Sequence, residues 1–466
     1  MPTELDILKD LVLNLAEQKE WEEARSMLIG QHPADVAEII SEAPEAARKR
    51  LFQLLETDLK PDVLAELESH VGTKILNELS NEEISDIVEE MQPDDAADVL
   101  SDLSDDRSEK ILNKMDVPES HDVRELLRYG EETAGGIMTT SLVRFHEELT
   151  VAEAIEQIAF LDMEEPFYSI YITTPDVKLV GMIGLWELLK ERNRHARLGD
   201  IAHRDLVSVH TDVDQEETAH LMSKYDLPSL PVINADGQLV GRITVDDVMD
   251  VMEEEATEDI LRMGGTSDES LSHRTPLQAC RYRLPWLLIT LATGFVTSFL
   301  FREFMDNLEQ VLVLSFFVPI VMAMGGNTGI QSSTLIIRRI ALGTLEADGM
   351  ARILIREILG ALLMGLICGG VIMLWAAFLV HTSPDQTHQF SPLFLGMVVG
   401  VSLLSAMIFA AVFGAFTPIL LDKIKIDPAV ASGPFVTSSN DIFALLIYYG
   451  VTFGLLSIAL RMAGST

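Results

Sequence analysis

The sequence has 466 residues, 48% of them hydrophobic, with 34 basic and 73 acidic residues and a net charge of −39. That length allows two or three domains. So acidic a chain argues against nucleic-acid binding, which needs clustered lysine and arginine. Cys280 and Cys368 are isolated and give neither a disulfide framework nor a metal-binding spacing. No short motif of a known enzyme class occurs, so we expect no catalytic residues.

Charge and hydrophobicity divide the chain into two unlike parts. Residues 1–270 alternate charged and apolar residues as soluble proteins do, and they carry almost all of the net negative charge. Residues 284–461 consist mainly of long uncharged runs. An acidic soluble part can bind multivalent cations, although acidic surfaces more often serve solubility alone.

Residues 1–130 are predicted to form an acidic, wholly helical domain. Apolar residues recur at three- and four-residue spacing, as at Val36, Ile39 and Ile40. In four segments Pro or a capping residue precedes acids, which the helix dipole favours in a first turn. These segments read HPADVAEII, KPDVLAELE, SNEEISDIV and QPDDAADVL. Short helices separated by such turns predict a stacked superhelix. Acids such as Asp94 and Asp95 could collect cations, but we interpret most of the acids as a solvated face.

Residues 131–250 contain an internal repeat. LVRFHEELTVAEAIEQI from Leu142 matches LVSVHTDVDQEETAHLM from Leu206, and the segments from Ser169 and Ser229 also match each other. Each copy is predicted to run strand, helix, strand, turn, strand, helix, with a tight turn at residues 234–237 of the second copy. This α/β repeat resembles a tandem CBS pair, a module that dimerises and commonly senses a ligand. An adenine nucleotide is the candidate ligand that this resemblance implies.

The chain continues as a highly acidic helix, DDVMDVMEEEATEDILRM, and residues 251–278 are assigned as the segment that connects the repeat to the apolar part. The apolar residues Val248, Val251 and Met252 are expected on the face opposite the acids. Two interpretations stay open: the helix transmits motion from a sensor to a membrane domain, or it is a passive linker.

Residues 279–466 contain five runs long enough to cross a bilayer as helices, at about 284–301, 311–337, 355–380, 393–421 and 433–460. Arginines and lysines cluster before the first run and in alternate loops, which places those ends in the cytosol. We therefore expect an integral membrane protein with cytoplasmic N-terminal domains and its C-terminus outside. The segment MGGNTGIQSS is expected to break the second run, because glycines permit an unwound backbone or a close helix contact.

The last run carries an acid, Asp441. A carboxylate inside a membrane helix costs roughly 2.5–3.5 kcal/mol, so it normally faces a partner, a cavity or an ion path. Small polar residues precede it, and Gly433 with Pro434 can free backbone carbonyls. We interpret Asp441 as the acid of a cation pathway; the alternative is a buried Asp satisfied by helix–helix hydrogen bonds. No second acid or nucleophile is expected in the spans to pair with it.

The order of these parts resembles the MgtE family of magnesium channels over the full chain. The motifs that carry the resemblance are PIVMAMGGNTGIQSSTLI from Pro319, EEEATEDI from Glu253 and DPAVASGPFVTSSND from Asp427. It implies a homodimer in the lipid bilayer, with one pore at the two-fold axis. It also implies that Mg²⁺ is both the permeant and the regulatory ion, and that intracellular Mg²⁺ closes the pore.

The resemblance places the family's functional residues on this sequence. The selectivity aspartate falls on Asp441, and the other candidate pore residues are Gly433, Thr437, Asn327, Gly325 and Gly326. The metal-sensing acids fall on Glu216, Asp226, Asp247, Asp250, Glu255, Glu258, Asp259 and Asp427, with Asp95 as the best acidic candidate in the helical domain. Gly433 stands where some relatives have Asn, and Ile330 also replaces a polar residue.

Elementary electrostatics connects these acids to gating. Mg²⁺ releases its water reluctantly, so two opposed Asp441 carboxylates would hold the hydrated ion. Two carboxylates about 4 Å apart repel by ~1 kcal/mol in water and ~4 kcal/mol near a protein surface, and bound Mg²⁺ would remove that repulsion in a compact, closed state. The alternatives are a channel or exchanger for cobalt or manganese, and a CBS-regulated membrane enzyme that uses Asp441.

Overall fold

The computed structural model describes residues 4–161, 167–266, 276–305, 309–342, 344–345, 349–382, 390–429 and 433–463. The chain forms two compact units, Met1–Glu253 and Glu254–Thr466, and the division falls inside one long acidic helix.

Short helices make up the first part of the N-terminal unit. They are α1 Glu4–Gln18, α2 Trp21–Leu28, α3 Pro33–Glu42, α4 Glu45–Leu54, a 3₁₀ turn Thr57–Leu59, α5 Lys60–Ala65, α6 Ser69–Glu78, α7 Asn81–Val88, α8 Pro93–Ser101, α9 Asp105–Leu112 and α10 Val117–Leu126. All four predicted start signals open a helix, and Ser80 with Glu83 forms a complete capping box before α7. Each helix packs on helices near it in the chain, as in a stacked superhelix.

Two α/β repeats follow. The first comprises β1 Arg144–His146, α11 Val151–Ile158, β2 Ser169–Thr173, β3 Leu179–Gly184 and α12 Leu185–Lys190; the second comprises β4 Val209–His210, α14 Gln215–Tyr225, β5 Ser229–Ile233, β6 Leu239–Thr244 and α15 Val245–Met263, with α13 Leu198–Ile201 between them.

The two repeats have the same sheet topology, which confirms the predicted order. In each sheet the first strand pairs parallel with the second, and the second pairs antiparallel with the third. The predicted turn forms with Gly237 at φ +76°, while Asn234 Oδ1 accepts hydrogen bonds from the backbone N–H groups of Asp236 and Gln238 at 3.0 Å.

The acidic helix α15 begins directly after β6, earlier than the assigned connecting segment. Val248 and Val251 are buried in the N-terminal unit, as the amphipathic pattern predicts, but Met252 is half exposed. Residues 267–275 of the assigned connecting segment lie outside the described residues.

Five long helices dominate the C-terminal unit, as predicted. They are α16 Pro276–Met305, α17 Val318–Ala341, α18 Met350–Thr382, α19 Pro392–Lys423 and α20 Pro434–Ala463, with a 3₁₀ segment Glu309–Phe317 before α17. All five are long and apolar enough to cross a membrane. Large apolar side chains such as Leu287, Phe295, Leu363 and Trp375 point outward, as expected for a surface that faces lipid.

The prediction of a broken second span was wrong, because α17 is one continuous helix. Its glycines serve close helix packing instead. A Cβ at Gly325 would lie 3.1 Å from Ala444 Cβ, and Gly329 is in direct contact with the Asn440 side chain and the backbone of Gly414. Helices α17, α19 and α20 therefore meet at Gly329.

Candidate functional site

A cavity of about 590 Å³ lies between α16, α17 and α20, and Asp441 is on its wall. Thr437 and Asp441 are four residues apart on α20, so they face the same side. Asn327 and Gly326 of α17 also line the cavity. A Cβ at Gly326 would lie 3.7 Å from Asp441 Oδ1 and 3.5 Å from Thr437 Cγ2, so the small residue lets α17 pass close to the acid.

The structure thus brings four of the six candidate pore residues to one cavity: Asp441, Thr437, Asn327 and Gly326. The Thr437 hydroxyl donates a 2.8 Å hydrogen bond to the Gly433 carbonyl within the first turns of α20. Gly325 and Gly433 are not on the cavity wall that the structure describes. A carboxylate, an amide and a hydroxyl in a mainly apolar wall can attract a cation and bind its water.

A second acid, Glu357, lies in the membrane helices, on α18. Its Oε2 accepts a 2.7 Å hydrogen bond from the Ser332 hydroxyl of α17. Glu357 is not among the described residues that line the Asp441 cavity. It therefore joins α17 to α18 and is not Asp441's partner there.

A group of acids surrounds Arg262 in the C-terminal unit. Arg262 forms ion pairs with Glu258, one turn earlier on α15, and with Asp427, just before α20. Burial, followed by the negative charges of Asp427 and Glu255, raises the pKa of Asp259 to about 6, while Arg262 opposes that rise. We call Glu255, Glu258, Asp259, Asp427 and Arg262 the membrane-unit acid group.

The backbone is also closely packed beside this group. Gly433 is in direct contact with the carbonyl oxygen of Met263, so a side chain at position 433 would displace the end of α15. Gly265, at φ +70°, lies against Pro434. The end of the acidic helix is therefore packed tightly against the entry to α20, the helix that carries Asp441.

The N-terminal unit contains a second acid group, formed by Asp94 of α8 and Asp247 of α15. Asp94 Oδ1 is shielded from solvent and has no hydrogen-bond partner among the described residues. Burial, then the charges of Asp247 and Asp95, raises the pKa of Asp94 to about 8. Burial also raises the pKa of Asp247, although Oδ2 accepts hydrogen bonds from the Thr244 backbone and hydroxyl at 3.2 and 2.5 Å. We call Asp94 and Asp247 the cytosolic acid pair.

Two other candidate metal ligands adjoin the cytosolic acid pair: the charge of Asp95 contributes to the raised pKa of Asp94, and the charge of Asp250 contributes to that of Asp247. Glu216 and Asp226 lie at opposite ends of α14, and Asp226 is the left-handed residue that ends the helix, at φ +51°. Asp250 is exposed on α15, and burial followed by the charges of Glu253 and Asp246 raises its pKa. Within the described ranges, no three His, Cys, Asp or Glu side chains are grouped to hold a metal ion. Those metal assignments stay predictions.

Sequence reasoning missed Asp94 and Arg262. It favoured Asp95, but Asp94 is three residues before the buried Ala97, which makes the two side chains neighbours on the helix surface. That spacing was the available signal. Arg262 and Asp427 are 165 residues apart, and no local pattern could have paired them.

Three family models match parts of the chain. Residues 318–451 match the MgtE family described as divalent cation transporters, residues 31–132 match the MgtE intracellular N domain, and residues 198–254 match the CBS domain. The chain is also similar to a solved structure described as the cytosolic domain of the Mg²⁺ channel MgtE in complex with ATP. The identity is 33%, the TM-score is 0.48, and the match covers 52% of this chain and 99% of that one.

Two curated relatives named magnesium transporter MgtE match most of the chain. The protein from Thermus thermophilus is 40% identical over 341 residues, which are 72% of this chain and 73% of the relative. The protein from Bacillus subtilis is 32% identical over 428 residues, 92% of each chain. These relatives are named transporters, and with the five apolar helices they identify a membrane transport protein. The chain therefore belongs to the MgtE family of magnesium transporters.

Proposed function

We propose that the chain forms a magnesium-selective channel whose ion path passes the Asp441 cavity. The observation that carries this proposal is the carboxylate on the wall of a 590 Å³ space together with the Asn327 amide and the Thr437 hydroxyl. Six waters at about 30 Å³ each need about 180 Å³, so the cavity can hold a fully hydrated Mg²⁺. The protein would hold a hydrated ion through the water around it. One carboxylate suits that mode of binding, whereas a dehydrated Mg²⁺ would need several direct oxygen ligands.

The channel is proposed to be a homodimer. One chain supplies one Asp441, and a two-fold partner would supply the opposing carboxylate across a shared path. Large apolar side chains on the first α/β repeat are exposed, among them Phe160, Trp186 and Leu189. Such a surface on a soluble unit supports association with a second copy. In the proposed topology the N-terminal unit is cytoplasmic and the C-terminus is outside.

Closure by cytosolic Mg²⁺ is the second part of the proposal. Each compact unit contains a carboxyl group whose pKa is raised by burial and by neighbouring acids, Asp94 in one unit and Asp259 in the other. A cation bound there would relieve the repulsion, and a site at 100 times its dissociation constant contributes about 2.7 kcal/mol to the bound state. Asp441 lies eight residues after Gly433 (433 to 441), about 12 Å along α20, so the packed end of α15 is close enough to influence the path.

An adenine nucleotide in the CBS pair is proposed as a further ligand, on the strength of the sequence resemblance alone. Nucleotide binding to the purified chain, measured by calorimetry with and without Mg²⁺, tests it directly. Absence of binding under both conditions would remove the nucleotide from the proposal.

Flux into proteoliposomes tests the ion path. We expect Asp441→Asn to lower Mg²⁺ uptake at least about 10-fold, because it removes the cavity's negative charge and keeps its shape. Glu357→Gln is the matched control: it neutralises another acid in a membrane helix, away from the described cavity wall. Equal uptake by the parent chain and Asp441→Asn would contradict the proposed path. Preferred uptake of Co²⁺ or Mn²⁺ over Mg²⁺ would instead support the alternative cation.

A further inference from the structure

One helix of the N-terminal unit carries an imidazole next to a carboxylate. Glu216 and His220 are one turn apart on α14, and Glu216 Oε1 lies 3.7 Å from His220 Nε2. That distance is too long for a hydrogen bond. His220 Nε2 is nevertheless shielded from solvent and has no hydrogen-bond partner in the part of the chain that the structure describes.

A shielded ring nitrogen without a hydrogen bond has an energetic consequence. Leaving a shielded polar atom without a hydrogen bond is unfavourable, and a ligand at that nitrogen would remove the penalty. A neutral imidazole nitrogen binds either a hydrogen-bond donor or a metal ion. The adjacent carboxylate favours the metal, because its charge attracts a cation to the same point.

The geometry of the pair suits chelation. Two ligands bound to one metal at about 2.0–2.2 Å are about 3–3.4 Å apart, so a few tenths of an ångström of side-chain adjustment closes the observed gap. Residues at i and i+4 on a helix commonly supply two ligands to one ion. The side chains of both residues remain more than a third exposed, although Nε2 itself is shielded, so both can shift to admit an ion between them.

The ligand types determine which ion fits. Mg²⁺ takes oxygen ligands and keeps its water, so it gains little from an imidazole. Zn²⁺, Co²⁺ and Ni²⁺ bind imidazole and carboxylate together. We infer that Glu216 and His220 form a site on α14 for a borderline divalent metal of the Zn²⁺ type.

This inference goes beyond Mg²⁺ transport and gating, neither of which needs an imidazole. The two are connected only through Glu216, for which the family resemblance implies a role in Mg²⁺ sensing. A Zn²⁺ ion held by His220 would occupy that carboxylate and so prevent its use by Mg²⁺. Metal binding at the pair can be measured whether or not the chain conducts Mg²⁺.

The test is a Zn²⁺ titration of the full-length, tag-free chain in detergent, with Mg²⁺ in large excess to fill sites made only of oxygen ligands. We expect one Zn²⁺ per chain, with at least about 10-fold weaker binding in His220→Gln and in Glu216→Gln. His203→Gln is the matched control, because His203 Nε2 is already engaged by Glu187 Oε2 at 3.0 Å on an exposed surface. The control should bind Zn²⁺ as the parent chain does.

Two further measurements keep the result interpretable. Co²⁺ in place of Zn²⁺ should give a visible absorption spectrum that changes in His220→Gln, which reports loss of a nitrogen ligand directly. Thermal unfolding without metal should be alike for the parent and all variants, so that weaker binding is not a folding defect. Equal Zn²⁺ affinity in His220→Gln and the parent, or loss of all Zn²⁺ binding under excess Mg²⁺, would overturn the inference. Mg²⁺ uptake by the same preparation shows separately whether the transport proposal holds.

Discussion

The two acid groups of this protein differ in whether the chain supplies a countercharge. In the membrane-unit acid group, Arg262 pairs with Glu258 and Asp427, and it also lowers the pKa of Asp259. In the cytosolic acid pair, the described surroundings of Asp94 provide hydroxyl and backbone groups and no cation. Burial is more severe there, and the pKa of Asp94 rises to about 8 rather than 6.

This difference indicates different responses to Mg²⁺. In the membrane-unit acid group, Arg262 already offsets part of the repulsion between the carboxylates. A bound Mg²⁺ can therefore remove only the repulsion that is left. A buried pair without a cation must take up either a proton or a metal ion to become favourable. The cytosolic acid pair should therefore be the more sensitive of the two to pH and to Mg²⁺.

The largest expected effect comes from removing the charge of Asp94. In Mg²⁺-free buffer at pH 8, Asp94→Asn should raise the free energy of unfolding of the N-terminal unit by about 2–3 kcal/mol, because a buried carboxylate no longer has to ionise beside Asp247. Denaturant titration of the full chain in detergent, followed by Trp fluorescence, measures it. Asp95→Asn, the neighbouring acid on the same turn, is the control and should not reproduce the gain. A destabilised Asp94→Asn would contradict the assignment of a repulsive pair.

The pH dependence of the parent chain sharpens the comparison. The folded pKa of Asp94, about 8, lies above its ordinary value of 3.8, so the folded state holds the proton more tightly than the unfolded state does. Stability from this group is present at low pH and is lost as pH rises toward 8, by at most about 1.4 kcal/mol per pH unit. The difference between the parent and Asp94→Asn should therefore shrink from pH 8 to pH 5. A difference that stays constant over that range would show that Asp94 does not titrate there.

A smaller effect on stability is expected in the membrane-unit acid group, where Arg262 supplies the countercharge. Arg262→Gln should lower stability by about 1 kcal/mol in Mg²⁺-free buffer, since its ion pairs are only partly buried, and added Mg²⁺ should restore most of that loss. Arg124→Gln is the matched control: it removes an arginine of similar exposure that pairs with Glu109 at 2.7 Å. Its loss should not respond to Mg²⁺. Thermal unfolding with and without Mg²⁺ distinguishes the two, and an equal response of both variants would undermine the contrast.

Much of the fold could be predicted because its signals are local. Proline, capping residues and first-turn acids mark helix starts such as those of α3 and α8, and hydrocarbon thickness alone predicts five spans. The break expected in α17 did not form, since glycines in a helix serve close packing as readily as unwinding. Sequence cannot distinguish these uses, because the choice depends on what Asn440 and Gly414 contribute from other helices.

Part of the candidate site could also be predicted because its signal is local in the sequence. Asp441 is identified by its chemistry, an acid in an apolar run, and needs no partner to be noticed. The membrane-unit acid group depends on a long-range pair, Arg262 with Asp427, and on a backbone contact at Gly433. Those contacts form only on folding, so no residue spacing in the sequence predicts them.

The meeting point at Gly329 limits how the membrane helices can rearrange. The backbones of α17 and α19 touch there, and the Asn440 side chain of α20 lies against Gly329, so sliding any of these helices past another would cause steric clashes. These three helices should consequently shift as one rigid block. Helix α16 forms another wall of the Asp441 cavity, and its large apolar side chains are mostly exposed. Displacement of α16 relative to that block is then the least costly way to widen or narrow the space around the acid.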